Sequence, residues 1–138
     1  MTIYQELLSV PTTGRGSVSV HRRVEDVIKR SGLEQGLCTV FVQHTSASLI
    51  IQENADPAVQ RDLQSWLDDL APADRPWEHA DEGPDDMPAH AKSVITKTSE
   101  SIPFSAGRLL TGTWQGLYLL EHRAQAHTRR LVVHLMGE

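Results

Sequence analysis

The chain has 138 residues, 39% of them hydrophobic and 22% charged, with a formal net charge of −5. That length suits one domain, residues 1–138, able to bury a core without disulfide or structural-metal staples. The acidic balance argues against a nucleic-acid partner, whose recognition needs a basic footprint. Cys38 is the only cysteine, so no intramolecular disulfide forms, in keeping with a reducing compartment. The opening "MTIYQELLSVPTTGRG" lacks the basic start and apolar core of a secretory signal. No apolar run approaches the length of a transmembrane helix. These features predict a cytoplasmic protein with no membrane partner.

Thr2 to Val10 reads as a strand. Gly16 to His21 ("GSVSVH") alternates as its hairpin partner across the turn-rich "PTTGRG". Arg22 to Ser31 reads as a short helix with Val24, Val27 and Ile28 on one face and Gly32 as its stop signal. "LCTVFVQHT" (Leu37 to Thr45) is the strongest strand, with Cys38, Val40, Val42 and His44 on one side because side chains alternate with period two. "SLIIQEN" reads as the returning strand. Asp56-Pro57 opens a helix: Asp caps free N–H groups and Pro is tolerated at the first helical position. It should run to Leu70 with Val59, Leu63, Trp66, Leu67 and Leu70 as its buried stripe, and Pro72 ends it.

Residues 71–91 read mostly as loop. In "EHADEGPDDMPAHAK" (Glu78 to Lys92), Gly83, Pro84 and Pro88 exclude a continuous helix or strand. A loop this long in a compact domain is functional or disordered. "SVITKT", "SIPFS", "GRLLTGT", "GLYLLEHR" and "RRLVVHL" follow as short strand-like runs. The pattern predicts an α+β fold: a mainly antiparallel, β-sandwich-like core with two helices packed on it.

Seven histidines against two phenylalanines and two tyrosines are the odd feature of the composition. His79 and His90 flank the acidic loop, and His44 ends an apolar strand. Drawn together, the three would make the open three-ligand site of a catalytic metal, with zinc the natural choice for neutral imidazoles. The spacing of His79 and His90 matches no compact zinc signature such as H-E-x-x-H. Asp81, Glu82, Asp85 and Asp86 would then orient the rings from behind. The plainer readings are a buried His44 bonded to backbone and a solvated acidic loop. His134 shares a strand face with Val132 and Met136, which suggests a core or interface role.

A second constellation lies in "GTWQGLYLLEHR". Gly112 and Gly116 bracket Thr113, Trp114 and Gln115, so the backbone there can turn tightly or approach a ligand. Leu117, Leu119, Glu121 and Arg123 continue one strand face. Glu121 and Arg123 read either as a mutual ion pair or as base and oxyanion-binding group at a pocket rim. Lys92 and Arg108 are further anion-binding candidates. Cys38, inside an apolar strand, is a poor nucleophile.

"VQHTSASLIIQENADPAV", "EGPDDMPAHAK" and "GRLLTGTWQGLYLLEHR", followed by "RRLVV", closely resemble the YjbQ family, collinearly and over nearly the whole chain. These small bacterial and archaeal proteins are often labelled secondary thiamine-phosphate synthases. The resemblance implies a compact α+β domain around a β-sandwich-like core, assembled as a homotrimer. It places His44, His79 and His90 on histidines that hold a metal. Glu121 and Arg123 fall on the family's "EHR", and Asn54, Asp56 and Asp62 on its "ENADP…D" stretch.

Two functions follow as expectations. One is a metal-dependent enzyme acting on a phosphorylated small molecule. Its reaction would be thiamine-phosphate synthesis, condensing a pyrimidine pyrophosphate with a thiazole phosphate, or hydrolysis of a phosphate ester. Glu121, Arg123 and Lys92 would be catalytic, and Asn54, Arg108, Gln115 and Thr113 would bind substrate. The other is a non-catalytic module holding a metal or metabolite.

Overall fold

A computed structural model describes residues 1–138. Three helices and eight strands run in the order β1 (Thr2–Pro11), β2 (Gly16–Ser19), α1 (His21–Ser31), β3 (Gln35–Val42), β4 (Ala47–Glu53), α2 (Pro57–Leu70), α3 (Asp86–Ile95), β5 (Ser99–Ser105), β6 (Arg108–Leu109), β7 (Gln115–Glu121) and β8 (Thr128–Gly137). The strands form a five-stranded sheet, β1-β8-β3-β5-β6, and a three-stranded sheet, β2-β7-β4. Every pairing is antiparallel.

Alternation in the strands produces the core. Cys38, Val40 and Val42 of β3, Leu131, Val133 and Leu135 of β8, and Ile102 and Phe104 of β5 face inward from the large sheet. Ala47, Leu49, Leu117 and Leu119 face them from the small sheet, and Val24, Val27 and Ile28 of α1 join the same cluster of 18 buried residues. The predicted ends of α1 and α2 hold. Gly32 takes φ 73°, a left-handed conformation that costs glycine little, and closes α1. The Asp56 carboxylate accepts the Ala58 N–H at 2.9 Å at the start of α2.

Four expectations are corrected. β1 and β2 do not form a hairpin: β1 pairs with β8 and β2 with β7, so the intervening turn carries the chain from one sheet to the other. β4 likewise leaves β3 and pairs with β7. Neighbours in sequence are split because each sheet supplies only one face to the common core.

There are three helices rather than two. Pro88 is the third residue of α3, inside the first turn, where backbone N–H groups have no intrahelical acceptor and proline removes nothing. The first half of "SVITKT" is therefore the end of α3, and of the rest Lys97 bridges to Leu49.

The expected stripe of α2 is largely unburied. Leu67 is 6% exposed but Trp66 is 57% and Leu70 54%, because the helix stands off the small sheet over a cleft of about 320 Å³. His134 lies on the outer face of the large sheet, where its Nδ1 sits 2.7 Å from the Gln5 amide oxygen; of the two roles expected for it, only the core one is excluded. The alternate residues Leu131, Val133 and Leu135 are the buried ones. No helix is long and apolar enough to cross a membrane.

Candidate metal centre

Helix α3 determines the site. Asp86 and His90 are four residues apart, so both project from one helix face, and the preceding loop brings His79 onto them. His79 Nε2 lies 3.0 Å and His90 Nε2 3.2 Å from Asp86 Oδ2. One ligand atom from each of these residues falls within 4.8 Å of the other two. Asp86 is buried, whereas the His79 and His90 side chains keep 45% and 32% of their surface exposed. The buried carboxylate thus forms the floor of the cluster and the two imidazoles its open rim.

Surrounding contacts fix the donors. The His90 ring can satisfy the Thr45 carbonyl, 3.0 Å away, only with Nδ1–H. In the neutral ring Nε2 then carries a lone pair aimed at a carboxylate oxygen. Two lone pairs at 3.2 Å repel, so the contact is favourable only with a proton on Nε2 or a cation beside it. Arg123 Nη1 donates to Asp86 Oδ1 at 2.8 Å, leaving Oδ2 for the histidines. Arg123 Nε also holds Asp85 at 3.1 Å and Nη2 the Glu82 carbonyl at 2.9 Å, tying the acidic loop down. Burial would raise the Asp85 carboxyl, but the Ala124 N–H and Arg123 outweigh it and hold the group below its ordinary value.

His44 is not one of the three converging donors. Its Nε2 accepts the Arg130 backbone N–H at 2.8 Å, and the Arg129 guanidinium stands 3.3 Å from Nδ1. Burial first and Arg129 second press its pKa down. The expected three-imidazole convergence is therefore replaced by two imidazoles and a carboxylate. His44 and His90 instead line one open groove of about 620 Å³ together with Thr45 and Ser93. The Ser93 hydroxyl is a buried side-chain polar atom without a partner.

The remaining predicted residues lie outside the cluster, and most are engaged in contacts of the fold. Glu121 is fully buried and pairs with Arg129, not Arg123: Arg129 Nε donates to Oε1 at 2.8 Å and Nη2 to Oε2 at 2.5 Å. The Thr12 hydroxyl and the Arg123 N–H fill its remaining positions. Burial alone would raise this carboxyl, yet these donors hold it below its ordinary range. With no free oxygen Glu121 is a structural anion rather than a base.

Lys92 is 4% exposed and donates to Asp68 Oδ1 at 2.6 Å. Asn54 donates to the carbonyls of Thr113 and Gln115, both at 3.2 Å, and the Gln115 side chain accepts the Gly112 N–H at 2.8 Å. These three residues brace a turn and, with no nearby role in the cluster, are not gathered at the metal donors. Arg108 is exposed on β6 at the edge of the large sheet.

Sequence reasoning assigned Asp86 to the surroundings, whereas it lies within the cluster itself. The missed signal was its i, i+4 spacing from His90, legible once Pro88 is allowed in a first helical turn. Ser48 was passed over, and His122 and Arg129 were given only weak claims.

Fold and donors together define a small antiparallel α+β protein with an open His/Asp/His cluster on its third helix. The family model for "UPF0047 protein YjbQ-like" matches residues 6–138. Curated relatives agree. The UPF0047 protein sll1880 of Synechocystis is 52% identical over 98% of this chain and 92% of its own length. The UPF0047 protein YjbQ of Escherichia coli O157:H7 is 38% identical over 98% and 99%. Among solved structures, an uncharacterised conserved protein of the yjbq/upf0047 family from Clostridium acetobutylicum superposes with TM-score 0.87 at 30% identity, covering 95% of this chain and 99% of that one. The conserved hypothetical protein TT1486 of Thermus thermophilus gives 0.83 at 37% identity, over 95% and 99%. The chain belongs to the UPF0047 (YjbQ) family.

Proposed function

We propose that the protein holds a divalent metal ion, zinc by donor type, at His79, Asp86 and His90, and uses it as an enzyme acting on a phosphorylated small molecule in the cytoplasm. The observation that supports this is the convergence of two imidazole nitrogens and a buried carboxylate oxygen within 4.8 Å, open on the side of the exposed histidines. Nitrogen and oxygen donors of this kind suit zinc, and three protein ligands with free positions are the pattern of catalytic rather than structural sites. A bound metal would polarise a phosphoryl oxygen or activate water. The chain's own residues prepare the site: Arg123 orients Asp86, and Thr45 selects the His90 tautomer. Thiamine-phosphate synthesis, implied by the resemblance, is the first reaction to test, and phosphate-ester hydrolysis uses the same parts.

One observation favours a second reading, a non-catalytic metal- or metabolite-binding module. Glu121, Arg123 and Lys92, the residues given chemical roles on sequence grounds, are all committed to internal ion pairs. Elemental analysis of tag-free protein, paired with assays of both reactions, separates the two. The enzyme reading expects about one metal per chain, its loss in H79A and H90A, and turnover that falls with it. Metal without turnover in either assay supports the module, and a metal-free native protein overturns both.

We propose further that the protein assembles as a homotrimer through the outer face of the large sheet. Ile3, Met136 and Leu37 lie in one cross-strand row and Leu7, Val132 and Phe41 in another. Of these, Ile3 is 62% and Phe41 47% exposed in the single chain. Contiguous apolar surface on a sheet marks association.

A further inference from the structure

His44 carries a hydrogen-bond conflict that the metal centre leaves unexplained. Two donors face its two ring nitrogens: the Arg130 backbone N–H, 2.8 Å from Nε2, and Arg129 Nη1, 3.3 Å from Nδ1. A backbone N–H and a guanidinium only donate, and a neutral imidazole has a single lone pair. Burial first, and the Arg129 charge second, hold the pKa of this ring down, so neutral is its resting form. One of the two contacts therefore sets hydrogen against hydrogen. The shorter contact takes the lone pair: Nε2 accepts from Arg130, and the ring's own hydrogen sits on Nδ1, against Arg129.

Arg129 cannot relieve the conflict by turning elsewhere. It is 3% exposed, and its Nε and Nη2 hydrogens are committed to Glu121 and Ser46. Nη1 carries two hydrogens, and its one recorded contact in the chain is the His44 ring. A buried charged donor without an acceptor is destabilising. One acceptor oxygen beside this pair of nitrogens would satisfy both.

The setting selects the charge of that acceptor. His44 lines the open groove of about 620 Å³ that also carries Thr45, His90 and Ser93, and no lining residue is acidic. Glu121 balances the charge of Arg129, whereas Arg130 is exposed and makes no ion pair, so the surroundings of His44 are left positive. Lys92 and Arg123 are held by carboxylates of the fold, which leaves Arg129 Nη1 as the cationic donor in want of a partner.

We infer that Arg129 Nη1 and His44 Nδ1–H together bind an anionic oxygen of a phosphate group that enters through this groove. The choice of phosphate rests on the proposed phosphorylated substrate, but the donor pair does not depend on the metal.

Inorganic phosphate is the probe, titrated into the native protein, H44F and H79A while amide NMR shifts are followed. In the native protein the Thr45, Ser93 and Arg130 amides should shift along one saturating curve. H44F removes the Nδ1 donor and should weaken binding ~10-fold or more, the worth of one charge-assisted hydrogen bond. H79A removes a donor of the proposed metal and leaves the groove untouched, so it should bind phosphate as the native protein does. Binding lost in H79A would put the anion on the metal and overturn the assignment, as would equal affinity in H44F or no binding by the native protein. A protein that proves metal-free yet binds phosphate, more weakly in H44F, sinks the metal reading and leaves this one standing. Should H44F fail to fold, nitrogen-15 shifts of native His44 decide: the hydrogen must sit on Nδ1 and respond to phosphate, and a hydrogen on Nε2 refutes the site.

Discussion

Glu121 illustrates how burial changes the meaning of a residue. A glutamate ending an apolar row reads as a base at a pocket rim, yet here it is fully buried against Arg129, Thr12 and the Arg123 N–H. Removing one member of a buried pair leaves an uncompensated charge, so E121A should destabilise the fold by about 3–5 kcal/mol, measured by urea denaturation. E121Q, which keeps the shape, should cost less. His122 predicts a pH dependence. Its folded pKa is lowered from 6.5 to about 4, so below the unfolded value the unfolded chain binds the extra proton. The contribution is fully present above about pH 6.5 and is lost as pH falls towards 4, by about 3 kcal/mol in all. Denaturation across that window should show a steeper acid loss in the native protein than in H122Q. Neither behaviour follows from residue identity, because both depend on what surrounds the side chain.

Among the elements, α3 and the β3–β8 pair carry the most. Arg123 grips the loop before α3 at two points and orients the Asp86 carboxylate at a third. R123A should therefore leave the core intact while weakening affinity for the proposed metal about 10–100-fold, read by competition with a chelator. Loss of metal without loss of fold is the discriminating result. The strand pair is set by Gly36 facing Gly137. A Cβ on Gly36 would stand 2.0 Å from the Met136 carbonyl oxygen, and one on Gly137 2.1 Å from that of Gln35. These are backbone atoms in the middle of a sheet and cannot swing aside. G36A should cost more than about 2 kcal/mol in thermal or urea unfolding, although alanine is the mildest substitution. Helix caps were legible beforehand, since Asp56-Pro57 and Gly32 act on their own few neighbours. Helix α3 was not, because Pro88 is a breaker everywhere except the first turn.

The whole molecule is a two-sheet sandwich with one sheet face uncovered, and assembly is tested there. F41E places a charge at the end of an apolar row, so light scattering after size exclusion should show the proposed trimer converted to monomers with an unchanged circular dichroism spectrum. An unaltered mass would remove the large-sheet face as the interface. The acidic loop's histidines, His79 and His90, could be singled out from sequence because their setting is local and compositional. That Asp86 joins them, that His44 binds Arg130, and that Lys92 meets Asp68 could not, since each contact joins segments placed by other elements.

Periodicity and capping, which act over a few neighbouring residues, were sufficient to specify most strands, the first two helices and an antiparallel α+β core, while the family resemblance rested on the motifs themselves. Pairing order, the division of strands between the sheets and the membership of the donor cluster were selected by the packed fold alone. The reason is physical: alternation states which side of a strand is apolar, but only simultaneous burial of every apolar side states which strand lies beside it.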